Sequence, residues 1–362
     1  MIETFILYNA ILLLSVLFAY YAEHSKTRRS RILARYSLFM VLFVPSVLRY
    51  DIGTDYASYV DSFNFSSEYK QTEIVFYALI LFLRNLQLPA HSLFVCSAFI
   101  TYFPLLFLQR KNYTWKILMY VLLCYLLSYS AIRNMISLSL VILAFDLFFR
   151  GKRWGAFIIY PLSVLFHASS FVFLPFFFVN RMHCNRIILL LISSFLLCIC
   201  YTDMFFVLLN NDLFLNSYYG GYMFSVYGVE PSYNTGYGAF SKILFAAIVF
   251  LSVLFSKTKD NAVIYFSLFY FISLVLMTKV SIFLRLADAA AITLVFALPL
   301  CLSVWREKKI IALKYLMVLF YVVLCGFFSG LLCCFSWFCW FYCFSTFDRY
   351  FLIHRIRGIF FL

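Results

Sequence analysis

The chain has 362 residues, of which 65% are hydrophobic, 22% aromatic and 12% charged, against about 45–50% apolar and about 25% charged in soluble domains. This excludes a soluble enzyme, a disordered chain and a secreted disulfide scaffold, and predicts an all-α polytopic integral membrane protein. The net charge of +14, from 29 Lys+Arg against 15 Asp+Glu, does not argue for nucleic acid, because the basic residues fall in short clusters between apolar runs.

Those clusters begin with Lys26, Arg28, Arg29, Arg31 and Arg35 and recur at Arg110–Lys116, Arg150–Arg153, Arg181–Arg186, Lys257–Lys259, Arg306–Lys314 and Arg349–Arg357. Under the positive-inside rule they mark cytoplasmic loops. Glu3 precedes the first apolar run and the first basic cluster follows it, the pattern of a span starting outside rather than of a cleaved signal peptide. Met1 to Tyr21 then runs inward and Ile32 to Leu48 outward, delivering a first periplasmic loop over Arg49 to Glu73.

Ile117–Ser130 and Ile136–Phe149 read as an outward and inward pair whose turn presents Arg133 and Asn134 outside. Trp154–His167 and Ser169–Val179 read as a second, shorter pair with His167 near its outer turn. Ile187–Leu209 leads into a large outer loop, Asn210 to Ser241, rich in Gly, Tyr and Asn. Further pairs are Ile243–Phe255 with Ala262–Met277 and Ile282–Val304 with Ile310–Gly330, and Leu331–Phe347 returns the end to the cytoplasm. The segment from Glu73 to Gln109 must cross once, and a re-entrant or outer-surface helix near Ile74–Phe82 followed by one full span satisfies this. The tally is about 11–13 transmembrane helices in a single membrane domain over residues 1–362. No internal repeat of the transporter kind is visible.

This threading leaves Arg49, Lys70, Arg84, Arg133, Lys242, Lys279 and Arg285 in the outer half, together with most of the acidic residues. The sharpest local pattern is Arg49-Tyr50-Asp51-Ile52-Gly53-Thr54-Asp55-Tyr56. An Arg fork suits phosphate oxygens, and Asp51 or Asp55 can accept a hydroxyl proton; an interfacial anchor with Arg snorkelling and Tyr56 in an aromatic belt explains the same residues. Arg133 and Arg285 each sit in apolar sequence near an outer boundary, where a charge faces a cavity or a partner. Arg285 has Asp288 at i+3, an ordinary helix-surface pair, whereas Arg133 has no such neighbour. His167 serves either as a structural residue or as a proton acceptor near neutral pH. Glu73 and Arg84 bound the outer helix, and Asp146 suits a helix–helix hydrogen bond near the inner side. The eleven Cys residues read as small hydrophobes, with no metal-ligand cluster and no cofactor motif.

The Arg49–Tyr56 stretch resembles the Arg-x-Asp-x-Gly-x-Asp-Tyr segment of the EpsG-like family of bacterial polysaccharide polymerases, which includes many O-antigen polymerases of the Wzy type. Ser130-Ala131-Ile132-Arg133-Asn134-Met135-Ile136-Ser137-Leu138 is similar to its Arg-Gln-x-x-Ala segment, with Asn134 in place of Gln and Ser137 in place of Ala. Phe166-His167-Ala168-Ser169 is similar to its Phe-His-x-Ser stretch.

The resemblance implies an inner-membrane enzyme that joins undecaprenyl-diphosphate-linked oligosaccharide repeat units on the periplasmic side. Its fold would be like that of the multi-span, GT-C-like glycosyltransferases that use polyprenyl-phosphate sugars. On this reading Arg49, Arg133 and Arg285 bind the two diphosphates, and Asp51 or Asp55 takes the proton from the attacking hydroxyl. His167 assists, with Tyr56, Glu73 and Asn134 as further candidates. A polysaccharide co-polymerase that regulates chain length is the implied protein partner. A flippase for the same lipid-linked units, or the ligase that moves finished glycan to lipid A core, are the competing classes.

Overall fold

A computed structural model of the chain describes residues 2–65, 73–179, 185–202, 207, 237–256, 261–280 and 283–307, all within one unit, Met1–Val318. Leu319–Leu362 form a second unit that lies outside the described residues. So do the expected spans at 310–330 and 331–347 and most of the expected outer loop at 210–241.

The described residues are mostly helical and contain no strand. The first helices are α1 (Ile2–His24), α2 (Arg28–Leu48), α3 (Tyr56–Asn64), α4 (Ile74–Asn85) and α5 (His91–Tyr102), the last extended by a 3-10 turn at Phe103–Phe107. α6 (Tyr113–Tyr120) passes through a π-helical turn, Val121–Tyr125, into α7 (Leu127–Ser130), and α8 (Ile132–Phe149) follows. α9 (Arg153–Phe166) leads through a 3-10 turn at Ala168–Phe173 to α10 (Pro175–Val179) and then α11 (Arg186–Cys200). Later in the chain come α12 (Tyr237–Leu254), α13 (Asn261–Met277), α14 (Phe283–Ala291) and α15 (Leu294–Glu307).

Local chemistry explains several of these ends. Thr27 caps α2 by accepting from Ser30 N at 3.1 Å, and Asn185 caps α11 by accepting from Ile187 N and Ile188 N, each meeting N–H groups that a helix start leaves without partners. α6 is capped from a distance: the Glu23 carboxylate, on α1, accepts from Asn112 N at 3.1 Å and Thr114 N at 2.9 Å, where negative charge meets the positive end of the helix dipole. α8 stops at Gly151, whose φ of +77° only Gly adopts at little cost.

Among the described residues, the helices long and apolar enough to cross a membrane are α1, α2 and α8, and α14 with α15 would add one bent span, at 56°. Shorter apolar helices such as α4, α9, α11 and α13, of 12–17 residues, fall below the roughly 20 residues that a full crossing takes. The segments expected to cross at 117–130, 154–167 and 169–179 are helical but interrupted, by the π turn in the first and by the 3-10 turn after α9 in the last, and each is shorter than a full span. Two expected boundaries shift. α8 begins at Ile132, not Ile136, so Arg133 and Asn134 occupy its first turn instead of preceding it. α12 begins at Tyr237, so the C-terminal end of the expected outer loop is helical.

Side-chain contacts fix how the chain folds back. Tyr120 Oη lies 2.8 Å from Ser139 Oγ and Lys116 pairs with Asp146, pairs that a continuous helix would hold tens of ångströms apart at 1.5 Å per residue. The chain therefore reverses at Ser130–Ala131. A second reversal at His167 brings Tyr160 Oη within 2.9 Å of Ser170 O and stacks Phe145 of α8 on Phe177 of α10 at 4.2 Å.

The far end of α8 holds an ionic cluster. Asp146, fully buried, pairs with Lys116 and, at 2.6 Å, with Arg150, and accepts from Gln109 N at 2.8 Å. Sequence reading anticipates a hydrogen bond at Asp146 and the structure supplies a three-membered ion cluster. Beside it Arg35 donates to Leu106 O and Leu108 O and covers the Tyr113 ring.

Candidate functional site

Three segments far apart in sequence meet at the opposite end of α8. Arg133 projects from the first turn of α8, His167 stands in extended backbone between α9 and its 3-10 turn, and Glu73 immediately precedes α4. Glu73 joins them: Oε2 accepts from Arg133 Nη1 at 2.6 Å and Oε1 lies 3.0 Å from His167 Nδ1. The Glu73 side chain is 9% exposed, that of Arg133 35% and that of His167 27%. A nearly buried carboxylate is thus compensated by a cation and an imidazole, which the cost of burying an unpaired charge requires. The two partners keep a face toward the surface.

The ground beneath is apolar. Tyr56, Tyr59 and Phe63 of α3, Phe76 and Ile80 of α4, Phe94 of α5, Ile132 and Ile136 of α8 and Phe166 of α9 form one buried cluster. The Arg133 guanidinium lies 5.8 Å from the Tyr59 ring and 5.9 Å from that of Phe76, within cation–π range. Burial raises the Tyr59 phenol pKa above its ordinary value; Arg133 opposes the rise and Asp55 adds to it.

The His167 turn is pinned from α8. Ser137, one helical turn beyond Arg133, donates to Ser163 O at 2.6 Å and pairs with the Ser170 hydroxyl, while Ser163 O also accepts from His167 N at 3.1 Å. One helix therefore carries Arg133 and also fixes the backbone that carries His167.

Arg49 ends α2 and is enclosed. It is 5% exposed, its guanidinium lies 4.9 Å from both the Phe94 and Tyr129 rings, and Nη1 donates to Ser128 O at 3.3 Å. Burial lowers the Arg49 pKa, with the tyrosines Tyr102 and Tyr129 opposing. Under it lies a chain of buried hydroxyls: Ser46 to Tyr102 at 2.8 Å, Tyr102 to Ser128 at 2.7 Å, and Tyr125 to Tyr129 at 2.8 Å.

The remaining candidates are spread more widely. Asp51 is exposed at φ 52°, a left-handed conformation that Asp tolerates better than most residues. Asp55 is exposed too, precedes α3, and accepts from Thr54 Oγ1 at 3.1 Å. Tyr56 is buried and stacks on Phe94 at 4.5 Å with a 5° interplanar angle, so it is a packing residue of the apolar cluster. Asn134 lies beside Arg133 with its Oδ1 buried and without a hydrogen-bond partner. Arg285 is exposed on α14.

Sequence reasoning reads Glu73 as a helix boundary and a further candidate with no assigned role, and gives Arg133 no partner, because only neighbours at i+3 and i+4 are visible in a sequence. The one usable signal is a lone acidic residue at the start of one apolar helix and a lone Arg at the start of another. Tyr59 and the Ser137–Ser163–Ser170 group carry no sequence signal that separates them from ordinary packing.

A family model described as the EpsG family matches residues 32–341, the greater part of the chain and all of the site above. Neither the curated proteins nor the solved structures include a match to it.

Proposed function

The chain belongs to the EpsG family, membrane-embedded proteins of the polysaccharide-polymerase type, and from that premise we propose that it is an O-antigen polymerase of the Wzy type. It joins undecaprenyl-diphosphate-linked oligosaccharide repeat units at the periplasmic face of a bacterial inner membrane, in lipopolysaccharide O-antigen or related exopolysaccharide synthesis. The full chain then makes about 11–13 crossings in a GT-C-like arrangement, with a polysaccharide co-polymerase as its chain-length partner. The observation that carries the reading is the bridge from Glu73 to both Arg133 and His167, which gathers a cation, a carboxylate and an imidazole from three distant segments.

The reaction transfers the growing glycan from its lipid diphosphate to a hydroxyl of the next lipid-linked unit. The bond from the anomeric carbon to the diphosphate oxygen breaks, the acceptor hydroxyl oxygen bonds to that carbon, and its proton passes to a base. Undecaprenyl diphosphate leaves with the bonding electrons. Because the leaving group is already activated, positioning and charge stabilisation are the main demands on the protein.

Arg133, with one side of its guanidinium held by Glu73, presents the remaining donors to the diphosphate. His167, with Nδ1 held by Glu73, has Nε2 left to take the proton, the arrangement in which a carboxylate orients an imidazole. Asp51 and Asp55, exposed on the loop after α2, are the alternative acceptors and bind sugar hydroxyls in this scheme. Arg285 is a second cation for the lipid diphosphates.

The test is lipopolysaccharide banding from a deletion strain carrying wild type, Arg133→Ala or His167→Ala. The reading expects core plus one repeat unit from the deletion, a full ladder from wild type and no ladder from either variant. A deletion that leaves bare core with no single-repeat band would move the assignment to the flippase or the ligase.

A further inference from the structure

Between Tyr113 and Arg150 the sequence contains neither Gly nor Pro, yet the chain reverses at Ser130–Ala131. Ala is the strongest helix former, so the local preference at this point is to continue. Ala131 instead adopts φ −92°, ψ 62°, and Met135 N returns to Ala131 O at 3.0 Å to start the next helix. The cause of the break therefore lies outside the segment.

The loop after α2 supplies it. Arg49 Nη1 donates to Ser128 O at 3.3 Å. The Gly53 backbone presses on the next residue so closely that a Cβ there would stand 2.1 Å from Tyr129 O. Thr54 N donates to Ser130 Oγ at 3.2 Å. Three consecutive residues of the reversal are thus each met by a group from residues 49–54. The last carbonyls of a helix lack partners within it and attract a cation, and Arg49 provides both at the end of α7. Gly53, at φ 113°, is the residue type that allows backbone to meet backbone at this distance.

We propose that residues 49–54 are a clamp that forms the α7–α8 reversal and thereby places Arg133, two residues beyond Ala131, where Glu73 can hold it. Arg49 is then a positioning residue that acts through the Ser128 carbonyl and does not meet the diphosphate. Its enclosure between two aromatic rings fits this role, since a fork offered to a ligand would have to leave both. The inference rests on the reading of Arg133 as the diphosphate contact only for its effect on activity; the clamp itself is a statement about the backbone.

The experiment therefore has two readouts on the full-length protein in lipid nanodiscs. In hydrogen–deuterium exchange, Gly53→Ala and Arg49→Lys are expected to speed exchange across residues 127–135 by about tenfold or more. The milder Ser130→Ala, which removes only the Thr54 bond and should fold, speeds it less, and exchange at 144–152 stays unchanged in all three. In steady-state assays with the lipid-linked repeat unit isolated from the deletion strain, Arg49→Lys is expected to lower kcat about tenfold with KM unchanged. Unchanged exchange at 127–135 in all three variants overturns the clamp, as does an Arg49→Lys enzyme with raised KM and wild-type kcat, which would mean direct diphosphate contact. If wild type forms no polymer, the polymerase reading fails, and exchange alone decides the clamp.

Discussion

Glu73 Oε1 lies 3.0 Å from His167 Nδ1 although 94 residues separate them in sequence, and the other oxygen of the same carboxylate holds Arg133 at 2.6 Å. A single nearly buried acid therefore orients two groups of different chemistry, and the two lose their relation to each other if it is removed.

Glu73→Ala and His167→Ala are expected to be non-additive. If Glu73 works by aiming the imidazole, each single variant lowers polymerisation by about 10²–10⁴, the range of acid–base catalysis, and the double variant is little worse than either. Initial rates of polymer growth from the two singles and the double check this. Multiplicative losses would separate the two residues.

Arg133→Lys keeps the charge but not the fork. One ammonium cannot serve Glu73 and a diphosphate in the same geometry, so the expected outcome is a loss of about tenfold or more in kcat/KM with normal amounts of protein in the membrane. Quantitative blotting beside the rate assay separates lost chemistry from lost protein.

At the other end of α8, Asp146→Asn leaves Lys116 and Arg150 without their carboxylate. Asp146 is 1% exposed and Lys116 8%, so two cations remain in a poorly solvated place, and destabilisation of about 3–5 kcal/mol is expected. Thermal unfolding of the detergent-solubilised protein measures it. Adding Lys116→Met to Asp146→Asn should recover part of the loss, because it removes one of the stranded charges.

Tyr59 predicts an alkaline response. Burial raises its folded-state pKa above the ordinary 10.0, so its contribution to stability is fully present below pH about 10 and is lost as pH rises through the folded value. Unfolding midpoints of wild type should fall over that alkaline window, and those of Tyr59→Phe should fall less. An identical decline in the two proteins would remove Tyr59 as a source.

How much of this was legible in the sequence depends on range. The helical segments and the turns that carry Arg133 and His167 follow from the alternation of basic clusters and apolar runs, which is why these two residues stand out from sequence alone. The Glu73 bridge does not, because a carboxylate 60 residues from one partner and 94 from the other leaves no periodic trace. The reversal at Ala131 is illegible for the opposite reason: local sequence argues for continued helix, and the groups that meet the reversal, from Arg49, Gly53 and Thr54, lie 76 or more residues away. Arg49 shows a third case, in which an Arg at the mouth of a span reads as a ligand group and is found packed between Phe94 and Tyr129.

α8 carries the ion cluster of Asp146 at one end and Arg133 at the other, thirteen residues apart, or about 20 Å at the helical rise. It is a strut of set length, fastened at its base. The height of Arg133 above the ionic floor is consequently written into the number of residues between them, and a thinner or thicker bilayer would tilt the strut without shortening it. One residue inserted at 138–144 would turn the Arg133 end by about 100° relative to the base, carrying the guanidinium off Glu73 while every residue type in the site stayed the same.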